Sequence, residues 1–574
     1  MSRWHITQAI VLLCGALAIS ACDDVLEGKE DEYEHEDDGC CSGGGGPHGG
    51  GSDPDDPDPD DPDPDDPDPD DPDPDDPDPD DGDPPRVEVG QGDLVGSYLN
   101  SKVRGFFGIP YAKPPVDALR FLAPQEPDDW SKARDATSFG HNCVQSDGDD
   151  VLDDQDEDCL SLNVWAPART PRAGAPVLVW FHGGDHANGS AAEPASRRGN
   201  RYDGTELAQR GLVVVSVNYR LGPLGFFTHK RIAAAEGGTL GNGGLWDQRR
   251  ALQWVNDNIG RFGGDEDNVT IAGQGSGASD VCLHVVSPES RGLFSNAILQ
   301  SGGCTTYQPT AAELQGRAQP WLDEISCDDD SDLLECLQGK SVAELYDVLP
   351  SGAFVPSVGG DFLPDQPRHA FDAGEIADVS LLLGSNAEEA SLYFDRYPDV
   401  KTEDDYHIVM QELFPEIPLK ELCLAYPHDR FADADEPYQL ALAYSLGDGR
   451  VTCATLDTAI RAREAGANVY FYNFEGVDPG ALGDAEHGAE IPYVFGTIAS
   501  PDDDEAELSD RIQSYWAQFT REGDPNDDSD PTWQLLEDGG PWGLNLSSDI
   551  TVLKKYRDAE CSLWRQYYDG ELGK

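Results

Sequence analysis

The sequence predicts an α/β fold with a mainly parallel central sheet covered by helices on both faces. Two short continuous apolar runs, Val177-Leu178-Val179-Trp180-Phe181 and Leu212 to Val217, are bounded by turn residues, the mark of strands buried on both sides. Helix-like stretches such as Leu245 to Ile259 lie between runs of this kind, and that alternation places helices over a parallel sheet. A third observation is the run Ile271-Ala272-Gly273-Gln274-Gly275-Ser276-Gly277-Ala278, which reads as a strand turning into a helix through closely spaced glycines.

The length of 574 residues does not by itself settle the number of domains. The charge is more informative. The formal net charge is −72, and residues 23–85 carry 29 acidic side chains against one lysine. Residues 86–574 carry 82 acidic against 37 basic side chains, so this part alone is near −45. Such a surface repels nucleic acid and anionic headgroups, which excludes both as partners, and is accounted for by solvation in high salt. Attraction of a cationic ligand is the sharper reading of the same charge.

At the N-terminus, Arg3 precedes an apolar run from Ala9 to Ala21. The run is shorter than the ~20 residues of a membrane span and ends in small residues, so residues 1–21 read as a signal peptide. Ile19-Ser20-Ala21-Cys22 resembles a bacterial lipobox, which would put a lipid on Cys22; an ordinary signal peptide with an incidental cysteine is the alternative. Either way the chain is expected outside the cytosol, and the lipobox implies a cell-envelope lipoprotein whose only membrane contact is its anchor. Residues 22–85 hold a glycine-rich patch and a Pro-Asp-Pro-Asp-Asp repeat that cannot form a core. Proline stiffness and charge repulsion extend such a tract, and at ~3.1 Å per residue the part from Asp53 to Pro85 would reach roughly 100 Å. It reads as an acidic stalk. Calcium binding by the repeat would need a turn geometry that the sequence lacks, and the adjacent Cys40 and Cys41 have no assigned role.

From residue 86 to residue 574 the chain reads as one domain. Phe262 to Ala278, FGGDEDNVTIAGQGSGA, resembles the carboxylesterase type B (cholinesterase-like) pattern FGGDPxNVTIxGESAGA. Gly108 to Phe121, Glu157 to Val164, Val217 to Phe226 and Tyr515 to Asn526 match further motifs of that family in order. The resemblance implies the α/β-hydrolase fold and disulfides Cys143–Cys159, Cys327–Cys336 and Cys453–Cys561. Cys282, Cys304 and Cys423 are left over and are expected to be unpaired. None of the cysteine spacings reads as a zinc site, and neither a metal nor a cofactor is expected.

In a G-x-S-x-G elbow the serine sits on the strained tip between two glycines that permit close packing. Here Gly273 and Gly277 hold the outer positions, but Gly275 stands where the family has its nucleophile. The resemblance places the triad acid at Glu389, within Gly384-Ser385-Asn386-Ala387-Glu388-Glu389, and the base at His487, within Glu486-His487-Gly488-Ala489-Glu490. Ser276 is the alternative nucleophile. One step along a helix turns a side chain by about 100°, so its hydroxyl is expected to point away from His487.

The oxyanion loop departs too. His182-Gly183-Gly184-Asp185-His186-Ala187-Asn188-Gly189-Ser190 resembles HGGGFxxGS, with Asp185 for the third glycine and His186 for the aromatic. The expected oxyanion donors are Gly183, Gly184, position 185 and Ser276. A carboxylate ~4–5 Å from a developing oxyanion raises its energy by roughly 4 kcal/mol at an effective dielectric of about 20. Loss of a triad serine costs on the order of 10⁶ in turnover. The favoured expectation is a catalytically impaired, surface-tethered binding protein, since the family includes neuroligin-like adhesion proteins without the serine; a weakly active ester hydrolase is the alternative. The expected partner is a small ester-like or cationic ligand, or a protein. Eight acids between Cys143 and Cys159, among them Asp149, Asp150, Asp153, Asp154 and Glu157, would draw a cation to the rim.

Overall fold

The computed structural model describes residues 83–145, 154–169, 171–193, 200–235, 237, 239–328, 331–432, 434–478, 485–527, 531–538 and 542–570. The signal segment, Cys22, Cys40, Cys41, nearly all of the stalk, and Asp149, Asp150 and Asp153 lie outside the described residues.

Among the described residues the main sheet has eleven strands. In chain order they are β1 (Ser97–Asn100), β2 (Val103–Pro110), β3 (Ser161–Pro167), β4 (Ala175–Phe181), β5 (Val213–Val217), β6 (Gly264–Gln274), β7 (Asn296–Gln300), β8 (Ser380–Asn386), β9 (Val469–Gly476), β10 (Gly543–Ser547) and β11 (Thr551–Leu553). Their spatial order is β11-β10-β9-β8-β7-β6-β4-β5-β3-β2-β1. From β10 across to β5 every pairing is parallel, and antiparallel strands close both edges. The two apolar runs of the sequence become β4 and β5.

Alternation along the strands separates two cores. Val177, Val179 and Phe181 of β4 face one core with Val213, Val215 and Val217, while Leu178 and Trp180 face the other with Val214. The first is covered by α1 (Gly243–Asn258), α2 (Ser276–Val286), α3 (Pro437–Gly447) and α4 (Cys453–Glu464); the second by α5 (Asp503–Glu522). On α5, Leu508, Ile512, Tyr515, Trp516 and Phe519 are buried at helical spacing, and the acidic first turn, Asp503 to Glu505, precedes that buried stretch. Asp502 caps it through a reciprocal bond with Glu505, and Gly523 in the left-handed region ends it.

Cys143–Cys159, Cys327–Cys336 and Cys453–Cys561 are bonded. The expectation that Cys282 and Cys304 are unpaired is corrected: they form a fourth disulfide, with Cα atoms 5.7 Å apart. Cys282 lies on α2 and Cys304 just after β7, and the parallel pairing of β6 with β7 brings those two connections side by side. Only Cys423 is free among the described cysteines.

Candidate active site

Parallel strands share one carboxyl edge, and a crevice at that edge is where such sheets carry their sites. The oxyanion-type loop follows β4, the elbow follows β6, Glu389 follows β8 and His487 follows β9. These four connections, far apart in sequence, converge because β4, β6, β7, β8 and β9 are consecutive neighbours in the sheet.

At the elbow, Gly275 has φ 60° and ψ −125°, the strained tip conformation. A side-chain carbon on Gly273 would meet Gly277 backbone atoms at 2.5 Å and the Phe181 carbonyl at 2.8 Å, so the outer glycines are demanded by close packing of strand and helix. At Gly275 the same carbon would find only the His487 ring, 3.1 Å from Nε2 and 3.7 Å from Cε1. The tip aims at the imidazole.

His487 Nδ1 lies 2.6 Å from Glu389 Oε2. Glu389 is itself fixed by the Asn386 N–H, which donates to Oε1 at 2.9 Å. Burial by itself lowers the His487 pKa, but the Glu389 carboxylate and its hydrogen bond, with Glu490 and Asp185 farther off, outweigh it and hold the imidazole above its ordinary value. The two loops are laced together: Glu388 N–H donates to the Ala485 carbonyl at 3.0 Å, and Asn386 Nδ2 donates to the Glu486 carbonyl at 2.6 Å.

Two residues beside this pair, Gln274 and Glu490, take part in ways the motifs alone do not assign. Gln274 Nε2 stands 2.9 Å from His487 Nε2, so the residue preceding the tip occupies the ring nitrogen that a nucleophile's hydroxyl would address. Glu490 is buried and accepts from Gln300 Nε2 at 3.0 Å and Asn386 Nδ2 at 2.6 Å. Burial, with the nearby Glu389, raises its pKa against those two bonds. The signal for Gln274 was its adjacency to the tip; for Glu490 it was three-residue spacing from the histidine.

Ser276 is the first residue of α2, so its N–H is one of those a helix cannot satisfy internally. Its Oγ is buried and makes no hydrogen bond, to His487 or to any other described residue. The Gly183 and Gly184 segment runs beside the elbow, where a side-chain carbon on Gly183 would come 2.6 Å from the Gln274 carbonyl. Asp185 follows with φ 55° and is exposed, yet its charge acts on both His487 and Tyr393. His186 turns inward instead and meets Asp280 on α2 at 2.7 Å.

A carboxylate–imidazole pair facing a strand-to-helix elbow, beside a glycine loop at the carboxyl edge of a parallel sheet, defines an α/β-hydrolase of the esterase type. The model of the carboxylesterase family matches residues 83–564, and the chain belongs to that family. It is 33% identical over 517 residues to the acetylcholinesterase of Bungarus fasciatus, covering 82% of this chain and 83% of that protein.

Proposed function

We propose that this chain is a carboxylesterase-family protein whose pocket binds its ligand without the acyl-enzyme chemistry of a serine esterase. Nucleophilic catalysis needs a hydroxyl that the base can deprotonate. Gly275 supplies none, and the observation that carries the reading is the Gln274 amide, 2.9 Å from His487 Nε2, engaging the base where that hydroxyl would be. Ser276, which carries a hydroxyl at the elbow, makes no hydrogen bond to His487. The loss of the nucleophile corresponds to about 8 kcal/mol of transition-state stabilisation. Under this reading Gly183, Gly184 and the Ser276 N–H remain as a polar cradle for a carbonyl or similar acceptor, and Asp185 favours a ligand that is neutral or cationic over an anion. The ligand is a small ester-like or cationic molecule or a partner protein, met at the cell envelope from a lipidated stalk.

The second reading, weak ester hydrolysis, is favoured by the intact 2.6 Å contact between His487 and Glu389. In that case His487 Nε2 takes a proton from water, whose oxygen attacks a carbonyl held by the same amides. The tetrahedral intermediate then breaks its bond to the alcohol oxygen, which takes that proton from the imidazolium and leaves beside the free acid. Exposure to a fluorophosphonate and assay with a simple aryl ester separate the two. No label and no hydrolysis above the His487→Gln background support binding alone; stoichiometric label on Ser276, lost in Ser276→Ala, overturns it. Hydrolysis without label, abolished by His487→Gln, establishes the water route.

A further inference from the structure

On the second turn of α2, Asp280 is wholly buried. Its Oδ1 lies 2.7 Å from His186 Nε2, and its Oδ2 accepts Gln248 Nε2 at 2.7 Å. The chain continues inward: Gln248 Oε1 is 3.0 Å from His284 Nε2, and His284 Nδ1 is 2.7 Å from Ser290 Oγ. A carboxylate this deep is retained only when paired and hydrogen-bonded. The imidazole of His186 is its partner, and the contact ties the oxyanion-type loop to the elbow helix.

The loop needs such a tie. Asp185 (φ 55°) and His186 (φ 58°) are consecutive non-glycine residues in the left-handed region. Each such residue is strained and persists only where its surroundings over-determine it. The His186 carbonyl accepts the Gly222 N–H at 2.7 Å, and the imidazole packs 4.7 Å from the Phe226 ring. Among the described residues no hydrogen bond holds the Asp185 side chain, so its position follows from that of its neighbour.

We propose that His186 is a positioning residue: clamped to Asp280, it holds the left-handed turn so that the Asp185 carboxylate stands at the rim of the pocket, facing the His487–Glu389 pair. The carboxylates that act on His186 are Asp280 from α2 and Asp185 on its own turn, while His182 at the start of the loop is held below its ordinary pKa by burial. Both acids favour the imidazolium. The role holds whether or not the pocket hydrolyses an ester.

The test is the titration of His487 in full-length protein carrying ¹³C-labelled histidine, with the resonance assigned through His487→Gln. Asp185→Asn is expected to lower the His487 pKa by about half a unit, an opposite charge having been removed from partial solvent screening. His186→Phe, which keeps an aromatic ring but not the clamp, is expected to lower it equally, and the double variant no further than Asp185→Asn alone. His186→Gln, which keeps a donor towards Asp280, restores the wild-type value. If His186→Phe does not fold, Asp280→Leu removes the acceptor of the clamp from the other side and is expected to give the same non-additive shift. An unchanged His487 pKa in these clamp variants beside a lowered one in Asp185→Asn, or additive shifts, overturns the proposal.

Discussion

The elbow tip Gly275 and the imidazole of His487 face each other: a side-chain carbon on the first would stand 3.1 Å from Nε2 of the second. Under the proposed function the elbow keeps the geometry that would aim a hydroxyl and lacks the hydroxyl itself. Gly275→Ser is therefore expected to raise hydrolysis of a simple aryl ester by at least about 100-fold over the wild type, with fluorophosphonate labelling at position 275. Adding Asp185→Gly to that variant is expected to raise kcat by a further ~10-fold, because a partly screened carboxylate no longer opposes the oxyanion. A side chain at φ 60° carries a cost of ~1–3 kcal/mol, to be read as a lowered Tm.

Ser276→Ala is expected to leave any background hydrolysis within about twofold of the wild type, since its Oγ has no partner to activate it. Removing a buried hydroxyl without a hydrogen bond is expected to leave the denaturant midpoint unchanged or slightly raised. Steady-state kinetics and urea unfolding on the same preparation check both.

Acid stability is expected to depend on His284. It is wholly buried, stacks on Phe181, and burial depresses its pKa to about 4. The unfolded chain takes up that proton near the ordinary value of about 6.5, so between these limits the unfolded state holds more protons and stability falls as pH falls. At pH 5 the contribution is about −2 kcal/mol relative to pH 7. His186 and His487, whose pKa values are raised, act in the opposite sense, stabilising at low pH and losing that contribution as pH rises through their folded values. Unfolding free energies at pH 7 and pH 5 are expected to differ by about 2 kcal/mol less in His284→Gln than in the wild type.

The Cys282–Cys304 bond spans a separation of 22 residues and ties α2 to the connection after β7. Chain entropy puts its contribution near 3 kcal/mol and that of Cys453–Cys561, with a separation of 108, near 5 kcal/mol. Replacing Cys282 and Cys304 together by serine is expected to lower unfolding free energy accordingly, and replacing Cys453 and Cys561 to lower it more, as measured by denaturant titration.

The sheet, the elbow and the glycine at its tip were legible in the residues alone. Buried parallel strands must be apolar throughout, which made β4 and β5 visible, and a strand-to-helix junction this tight must carry small residues at Gly273 and Gly277. The register of that motif put Gly275 at the tip, and family spacing picked Glu389 and His487 out of the chain. Only the tertiary structure decided what surrounds them. The Gln274 contact with His487, the Asp280 clamp on His186 and the Cys282–Cys304 bond each join segments that no local pattern links. They exist because parallel neighbours in the sheet deliver their following loops to one edge, and that adjacency is a property of strand order rather than of any short run of residues.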